Sequence, residues 1–337
     1  MTKPTNHIEI QTGKVGVLLV NLGTPDALTV KSVRRYLREF LSDSRVVSLP
    51  RILWLPLLNL VILNVRPKKS LAAYSKIWRK DDNQSPLLYY TEQLTKGIAA
   101  LQPNAVVDFA MRYGQPSIRG KMAEMQKAGC DRILVVPLYP QYSATTNATV
   151  VDEVFRYLRS QVWQPSVRIA APWYKKSAYI DGLKTQIQHY LANKPKLPEK
   201  ILLSFHGLPK QSLEEGDPYY CQCITTGRLL AEALGKTREE VMVTFQSRFG
   251  PAAWLQPYTA EVLKALPAEG VENILVLTPG FVADCIETLE EIALEGKADF
   301  IKAGGNECDV LPCLNDSSEG LAVMNSVVTE ELAGWLD

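Results

Sequence analysis

The chain repeats itself. Val17-Leu18-Leu19-Val20-Asn21-Leu22-Gly23-Thr24-Pro25 lines up with Ile201-Leu202-Leu203-Ser204-Phe205-His206-Gly207-Leu208-Pro209, Gly and Pro in register, so that Leu22 takes the place of His206. Met111-Arg112-Tyr113-Gly114 then matches Ser247-Arg248-Phe249-Gly250. Gly129 with Ile133-Leu134-Val135-Val136-Pro137 matches Gly270 with Ile274-Leu275-Val276-Leu277-Thr278-Pro279. Three landmarks in one order mean a unit built twice. Each is an apolar run of strand length closed by a Gly or Pro turn, and intervals such as Ser117 to Ala128 and Tyr258 to Glu269 are long enough for helices. Alternating strand and helix imply a parallel, doubly wound sheet, so two similar α/β domains facing each other are expected. The seam is placed between about Gln161 and Trp173, where Pro165 and Pro172 bracket Val167-Arg168-Ile169-Ala170, giving domains 14–165 and 166–337.

The halves differ in length. Gly23 to Arg112 is 89 positions and Gly207 to Arg248 is 41, so the first half carries 48 more. The excess contains an apolar stretch, Ile52 to Val65 within a segment of about 48–70, broken by Pro56 and closed by Arg66, Lys68 and Lys69. It falls short of the roughly 20 apolar residues a spanning helix needs. An insertion after a strand's carboxyl end should fold over the ligand edge, where this stretch would wall a large apolar pocket and offer a lip, Trp54 to Leu63, to a membrane surface or a greasy ligand. The bland alternative is a set of helices packed on the outside. The polar N-terminal dozen residues lack the order of a secretion signal, so a cytoplasmic, reducing location without disulfides is expected, with room for peripheral attachment to the inner membrane face. With 37 basic against 36 acidic residues, nothing points to nucleic acid.

Lys200 to Phe205 reads as a buried strand that ends on His206, because Gly207-Leu208-Pro209 cannot continue it. Ligands bind at that edge of open α/β sheets. The chain has three histidines; His7 lies in a polar arm and His189 in a Gln- and Lys-rich helical stretch, which leaves His206 as the candidate catalytic imidazole. After Ile274 to Leu277 comes an acidic helix in which Asp284 reads as N-cap and Gly296 as C-terminal stop. Asp284, Glu287, Glu291 and Glu295 fall on one stripe, and Phe281 to Glu295 contains no Lys or Arg to offset the repulsion. A wet acidic face is one reading. The other is a row of carboxylates that accepts protons or escorts a divalent cation, looking at His206 across the cleft. With no phosphate loop and no structural-zinc spacing, an imidazole, a file of acids and a greasy cavity suit metal insertion into an apolar macrocycle.

Asn21-Leu22-Gly23-Thr24-Pro25, Tyr139-Pro140-Gln141-Tyr142-Ser143, Ser204 to Pro209, Thr244 to Gly250 and Phe281 to Leu289 together resemble ferrochelatases, from about Val15 to Asn315. The resemblance implies two Rossmann-like domains with parallel four-stranded sheets, and insertion of Fe2+ into protoporphyrin IX with release of two protons, the terminal step of haem biosynthesis. Iron is then substrate, and no nucleotide or other cofactor is needed. It implies that His206 takes pyrrole protons or binds the metal, that Glu287 is its partner, with either able to receive metal or protons, and that Asp284 and Glu291 continue the carboxylate path. Leu22, Arg112, Tyr113, Tyr139, Ser247, Trp254 and Phe281 match porphyrin-pocket positions. Members with a 2Fe-2S cluster mostly carry a cysteine after Tyr-Pro-Gln-Tyr-Ser and three more near the C-terminus; here Ala144 follows, and no cysteine comes after Cys313. Cys221, Cys223, Cys308 and Cys313 are therefore expected to be metal-free thiols. Rival readings are a chelatase for coproporphyrin III or sirohydrochlorin, and a non-catalytic tetrapyrrole carrier.

Overall fold

The computed structural model describes residues 11–336; His7 lies outside them. Eight strands form: β1 (Lys14–Gly23), β2 (Ala105–Tyr113), β3 (Cys130–Pro137), β4 (Ser166–Ile169), β5 (Lys200–His206), β6 (Val241–Gln246), β7 (Asn273–Leu277) and β8 (Glu307–Val310). They make two four-stranded parallel sheets, ordered β2-β1-β3-β4 and β6-β5-β7-β8. The repeat is thus a duplicated topology. β4 pairs with β3 through Arg132 to Val135, so the strand expected to open the second half at 166 completes the first sheet instead. A four-residue, half-exposed strand carries no local sign of which neighbour it will join.

Strand register tests the alignment of the halves. Gly16 stands level with Ile133 and Lys200 with Ile274, and Gly129 and Gly270 both adopt a positive φ, 98° and 87°, so the first and third landmarks superpose as aligned. The second does not. Met111 N donates to Pro116 O at 2.7 Å just as Phe245 N donates to Pro257 O at 2.8 Å, which makes Met111 equivalent to Phe245 and Tyr113 to Ser247. The Arg-Phe-Gly that imitated Arg-Tyr-Gly belongs to a longer loop between Gln246 and Pro257. At the strand ends the backbones nearly touch: a Cβ on Gly23 would lie 1.8 Å from Tyr113 O, and one on Gly207 2.6 Å from Gln246 O. Only glycine fits there.

Between β1 and β2 the chain forms helices Val30–Ser42, Arg51–Leu57, Leu63–Ile77 and Pro86–Leu101, with a π-helical turn at Leu58–Ile62. Pro56, with no N–H to donate, stands two residues before that turn. The insertion has its own small core, with Val33, Tyr36, Leu41, Leu58, Leu63, Tyr74 and Trp78 packed on Tyr113 and against Leu22 and Ile286. Leu22 lies near the end of β1 and Ile286 just before Glu287, so these helices cover the strand ends rather than the outside of the sheet. The largest core cluster joins Val17 and Leu19 of the first sheet to Leu203 and Leu275 of the second, with Val323, Val327 and Val328 of helix Ser318–Leu332 sealing it. That shared core makes the halves one rigid frame for the residues at their facing edges.

Candidate active site

His206 ends β5, the second strand of its sheet, at the carboxyl edge. Its ring stands edge-on to Phe281, centroids 6.3 Å apart. Burial lowers its pKa below the usual value, against the opposing pull of Glu287. The residue nonetheless keeps part of its surface open, which marks a group lining a cleft rather than one sealed in a core. Trp254 covers the next turn: it bridges to Pro209, and a Cβ on Gly207 would meet its ring at 3.3 Å.

The acids follow β7, in the same half as His206, so they do not face it from the opposite half. The segment is a ten-residue π-helix, Glu287–Gly296, continued by an α-helix at Lys297–Lys302. Two expectations fail. Asp284 is not an N-cap: its carboxylate accepts from Thr288 Oγ1 (2.9 Å), Cys313 N (3.2 Å) and Asn315 Nδ2 (2.7 Å), while Asn315 Oδ1 accepts from Asp284 N (2.8 Å). Gly296 does not stop the helix; its φ is −61°, and a Cβ there would press on Leu263 Cδ1 at 3.1 Å. The stripe also divides. Glu295 points outward, where Lys76 of the insertion pairs with it at 3.6 Å and with Glu290 at 2.6 Å, supplying the cation the helix itself lacks. Glu291 is held by Ser247 N (2.6 Å), by Ser247 Oγ and by Gln246 Nε2 (3.2 Å), and burial still raises its pKa against those bonds.

Glu287 differs from both neighbours. Among the described residues its half-buried carboxylate takes no hydroxyl or N–H donor and no cation. Its charge is felt at His206, at the Cys285 thiol, and at Tyr36, Tyr74 and Tyr139 of the first half, whose phenols are raised by burial first and by neighbouring groups including Glu287 second. The Glu287 carboxylate therefore lies within electrostatic reach of groups from both halves.

The other expected residues fall into three groups. Leu22 and Phe281 pack on Leu87, Ala283 and Cys285, forming an apolar wall that crosses the cleft. Among the described residues Tyr139 Oη and Trp254 Nε1 are buried polar atoms without a partner, the kind of unmet group that calls for explanation. Arg112 and Tyr113 lie deeper: Tyr113 is fully buried, and Arg112 is locked to Asp43 while its Nε donates to Thr149 O at 2.9 Å. Tyr113 Oη also donates to Asp43, at 2.9 Å. The guanidinium is thus committed inside the first half. Asp43, Tyr36, Tyr74 and Gln246 adjoin the candidate site and are not singled out by sequence reasoning; only Gln246 sits inside a motif, and nothing in its type or spacing sets it apart.

Solved structures share this architecture. The sirohydrochlorin chelatase SirB of Bacillus subtilis subspecies spizizenii in complex with cobalt superposes with TM-score 0.56 at 12% identity, covering 95% of each chain. CbiX, described as the terminal enzyme of sirohaem biosynthesis in denitrifying bacteria, gives 0.52 at 15%, covering 94% of this chain and 98% of that one. At such identities they establish the fold alone, a two-domain, chelatase-like α/β architecture. The ferrochelatase family model matches residues 14–332. The ferrochelatase of Rhizobium meliloti strain 1021 is 53% identical over all of both chains, and that of Brucella ovis 48% identical over 98% of this chain and 95% of its own. The chain belongs to the ferrochelatase family and is a metal chelatase.

Proposed function

We infer that the protein inserts Fe2+ into protoporphyrin IX, releasing two pyrrole protons, as the terminal step of haem biosynthesis. The observation that carries this at the level of residues is a buried imidazole at the carboxyl edge of a strand with the Glu287 carboxylate within its electrostatic reach. With its pKa lowered by burial, His206 is neutral near neutral pH and keeps a lone pair for a proton or a metal ion. Glu287 supplies the negative charge that attracts a cation and steadies an imidazolium once it forms. Two protons leave the ring, and the pair supplies two acceptors. Asp284 and Glu291, saturated with donors, hold the helix on which Glu287 stands. Leu22, Phe281, Tyr139 and Trp254 would line the macrocycle. A carrier has no use for a free carboxylate next to a neutral base.

The test uses zinc or ferrous iron with protoporphyrin. Glu287→Gln and His206→Ala should each lower turnover by roughly 10²–10⁴-fold, while porphyrin affinity, read by fluorescence, stays nearly constant. Wild-type turnover in both variants would defeat the assignment.

Two further readings go with this function. The enzyme touches a membrane surface from the cytoplasmic side through its insertion, a reading supported by Ile52, Leu53, Leu60 and Val65, each at least 70% exposed; among the described residues no helix is long and apolar enough to cross a bilayer. Cys221, Cys223, Cys308 and Cys313 are plain thiols. Burial pushes Cys223 and Cys313 well up and Cys308 to about 12, away from the thiolate that a cluster requires. Anaerobic EPR of the reduced protein should be silent; two irons and two sulfides per chain would overturn this.

A further inference from the structure

His206 and Glu287 stand on separate pieces of backbone, the end of β5 and a helix that follows β7. One buried amide ties them together. Gln246, 4% exposed, ends β6 level with His206. Its Nε2 donates to Glu287 O at 2.8 Å and to Glu291 Oε2 at 3.2 Å, and its Oε1 accepts from Ser204 Oγ at 2.8 Å. Ser204 lies on β5, two residues before His206, and its hydroxyl meets Thr259 Oγ1 at 2.8 Å, which donates in turn to Thr244 Oγ1 at 2.8 Å.

The chemistry fixes which way the amide points. Both groups on the helix side are acceptors, so only the NH2 end fits there, and the serine hydroxyl completes the carbonyl end. The next residue reinforces the grip. Ser247 takes a left-handed φ of 64° and turns its N–H and hydroxyl onto Glu291. A non-glycine residue held in that region marks a place where the surroundings override local preference.

We propose that Gln246 is a positioning residue that sets the placement of the Glu287 carboxylate relative to His206. It touches neither metal nor macrocycle. It acts by fixing the backbone carbonyl of Glu287 and the side chain one helical turn on. The proposal rests on the assignment of His206 and Glu287 as the reacting pair.

Gln246→Leu keeps the bulk and removes both donors. Metal insertion should fall roughly 10–100-fold in kcat, as when outer-shell partners of metal ligands are removed, with KM for porphyrin and porphyrin affinity within about twofold of wild type. Ser204→Ala leaves the amide in place but frees it to turn, so a smaller loss in kcat with the same unchanged KM is expected; it decides the matter if Gln246→Leu does not fold. Wild-type kcat in the folded variants, or a loss of porphyrin affinity matching the loss of kcat, would overturn the proposal. Glu287→Gln and His206→Ala run beside them separate the two failures. If those are inactive while the Gln246 and Ser204 variants behave as wild type, this inference alone falls; if those keep turnover, the pair falls and this goes with it.

Discussion

Replacing Ile52, Leu53 and Leu60 by Ser should detach the protein from membranes without harming its fold. These side chains are 83%, 70% and 74% exposed, whereas Leu58, between them in sequence, is fully buried in the core of the insertion. At about 2 kcal/mol for complete removal of such a side chain from water, three this exposed set an upper limit of roughly 4–5 kcal/mol. A face that sinks only to the headgroup boundary recovers about half, ~2 kcal/mol, or about a 30-fold change in partitioning.

Flotation with vesicles containing one-third anionic lipid reads that change directly. The wild type should float, the triple variant should float about 30-fold less, and their unfolding midpoints should agree, since exposed side chains with few partners cost little to replace. Leu58→Ser should instead unfold the insertion. Lys68 and Lys69 are also exposed, and contribute about 1 kcal/mol each at an anionic surface, a share that salt removes. A wild type that does not float, a triple variant that floats equally, or binding abolished by high salt alone would each refute the apolar reasoning.

Two other predictions concern buried charge. Arg112→Met leaves Asp43, whose side chain is 10% exposed, without its cation; the cost should be about 3–5 kcal/mol in urea unfolding, and Asp43→Leu added to it should return most of that. A single-variant cost below about 1 kcal/mol would mean that the pair is solvated. His206 should make stability depend on pH: its folded pKa lies below the unfolded one, so the unfolded chain binds the proton first as pH falls. Its contribution is therefore present above the unfolded value near 6.5 and is lost as pH falls through the window to the folded value. Urea midpoints at about pH 5 and 7 should differ more for wild type than for His206→Leu; equal differences would exclude the imidazole as the cause.

What the sequence reveals, and what it hides, divides by the range of the interaction responsible. β1 and β5 are legible because a buried strand and the turn that ends it are written in adjacent residues. β4 joins the first half against expectation because pairing is a contact between distant segments. Asp284 has the residue type and position of an N-cap, yet Asn315, thirty-one positions on, offers it better partners. The stripe is uncompensated within the helix, and the cation that answers its outer member Glu295, Lys76, comes from the insertion in the other half. Gln246 looks ordinary because an amide shows its role only in what it touches.

Duplication explains why the chemistry collects on one side. In the structural alignment Arg112 stands where Gln246 stands, and the two play the same mechanical part. Each ends or nearly ends a second strand and donates to a carbonyl of the helix beyond, Thr149 O at 2.9 Å in one half and Glu287 O at 2.8 Å in the other. Both of those helices also contain or adjoin π-helical turns, Ala144–Ala148 and Glu287–Gly296. What differs is the charge. In the first half the cation is committed to Asp43, and the neighbouring cleft residues are Leu22 and phenols. In the second, the positions hold a neutral amide, an imidazole and a carboxylate that among the described residues has no cation partner. On our reading a macrocycle lying between them would meet hydrocarbon and phenol on one face and proton acceptors on the other. A copied scaffold becomes directional by keeping the grip and changing only which of its ends carries a free charge.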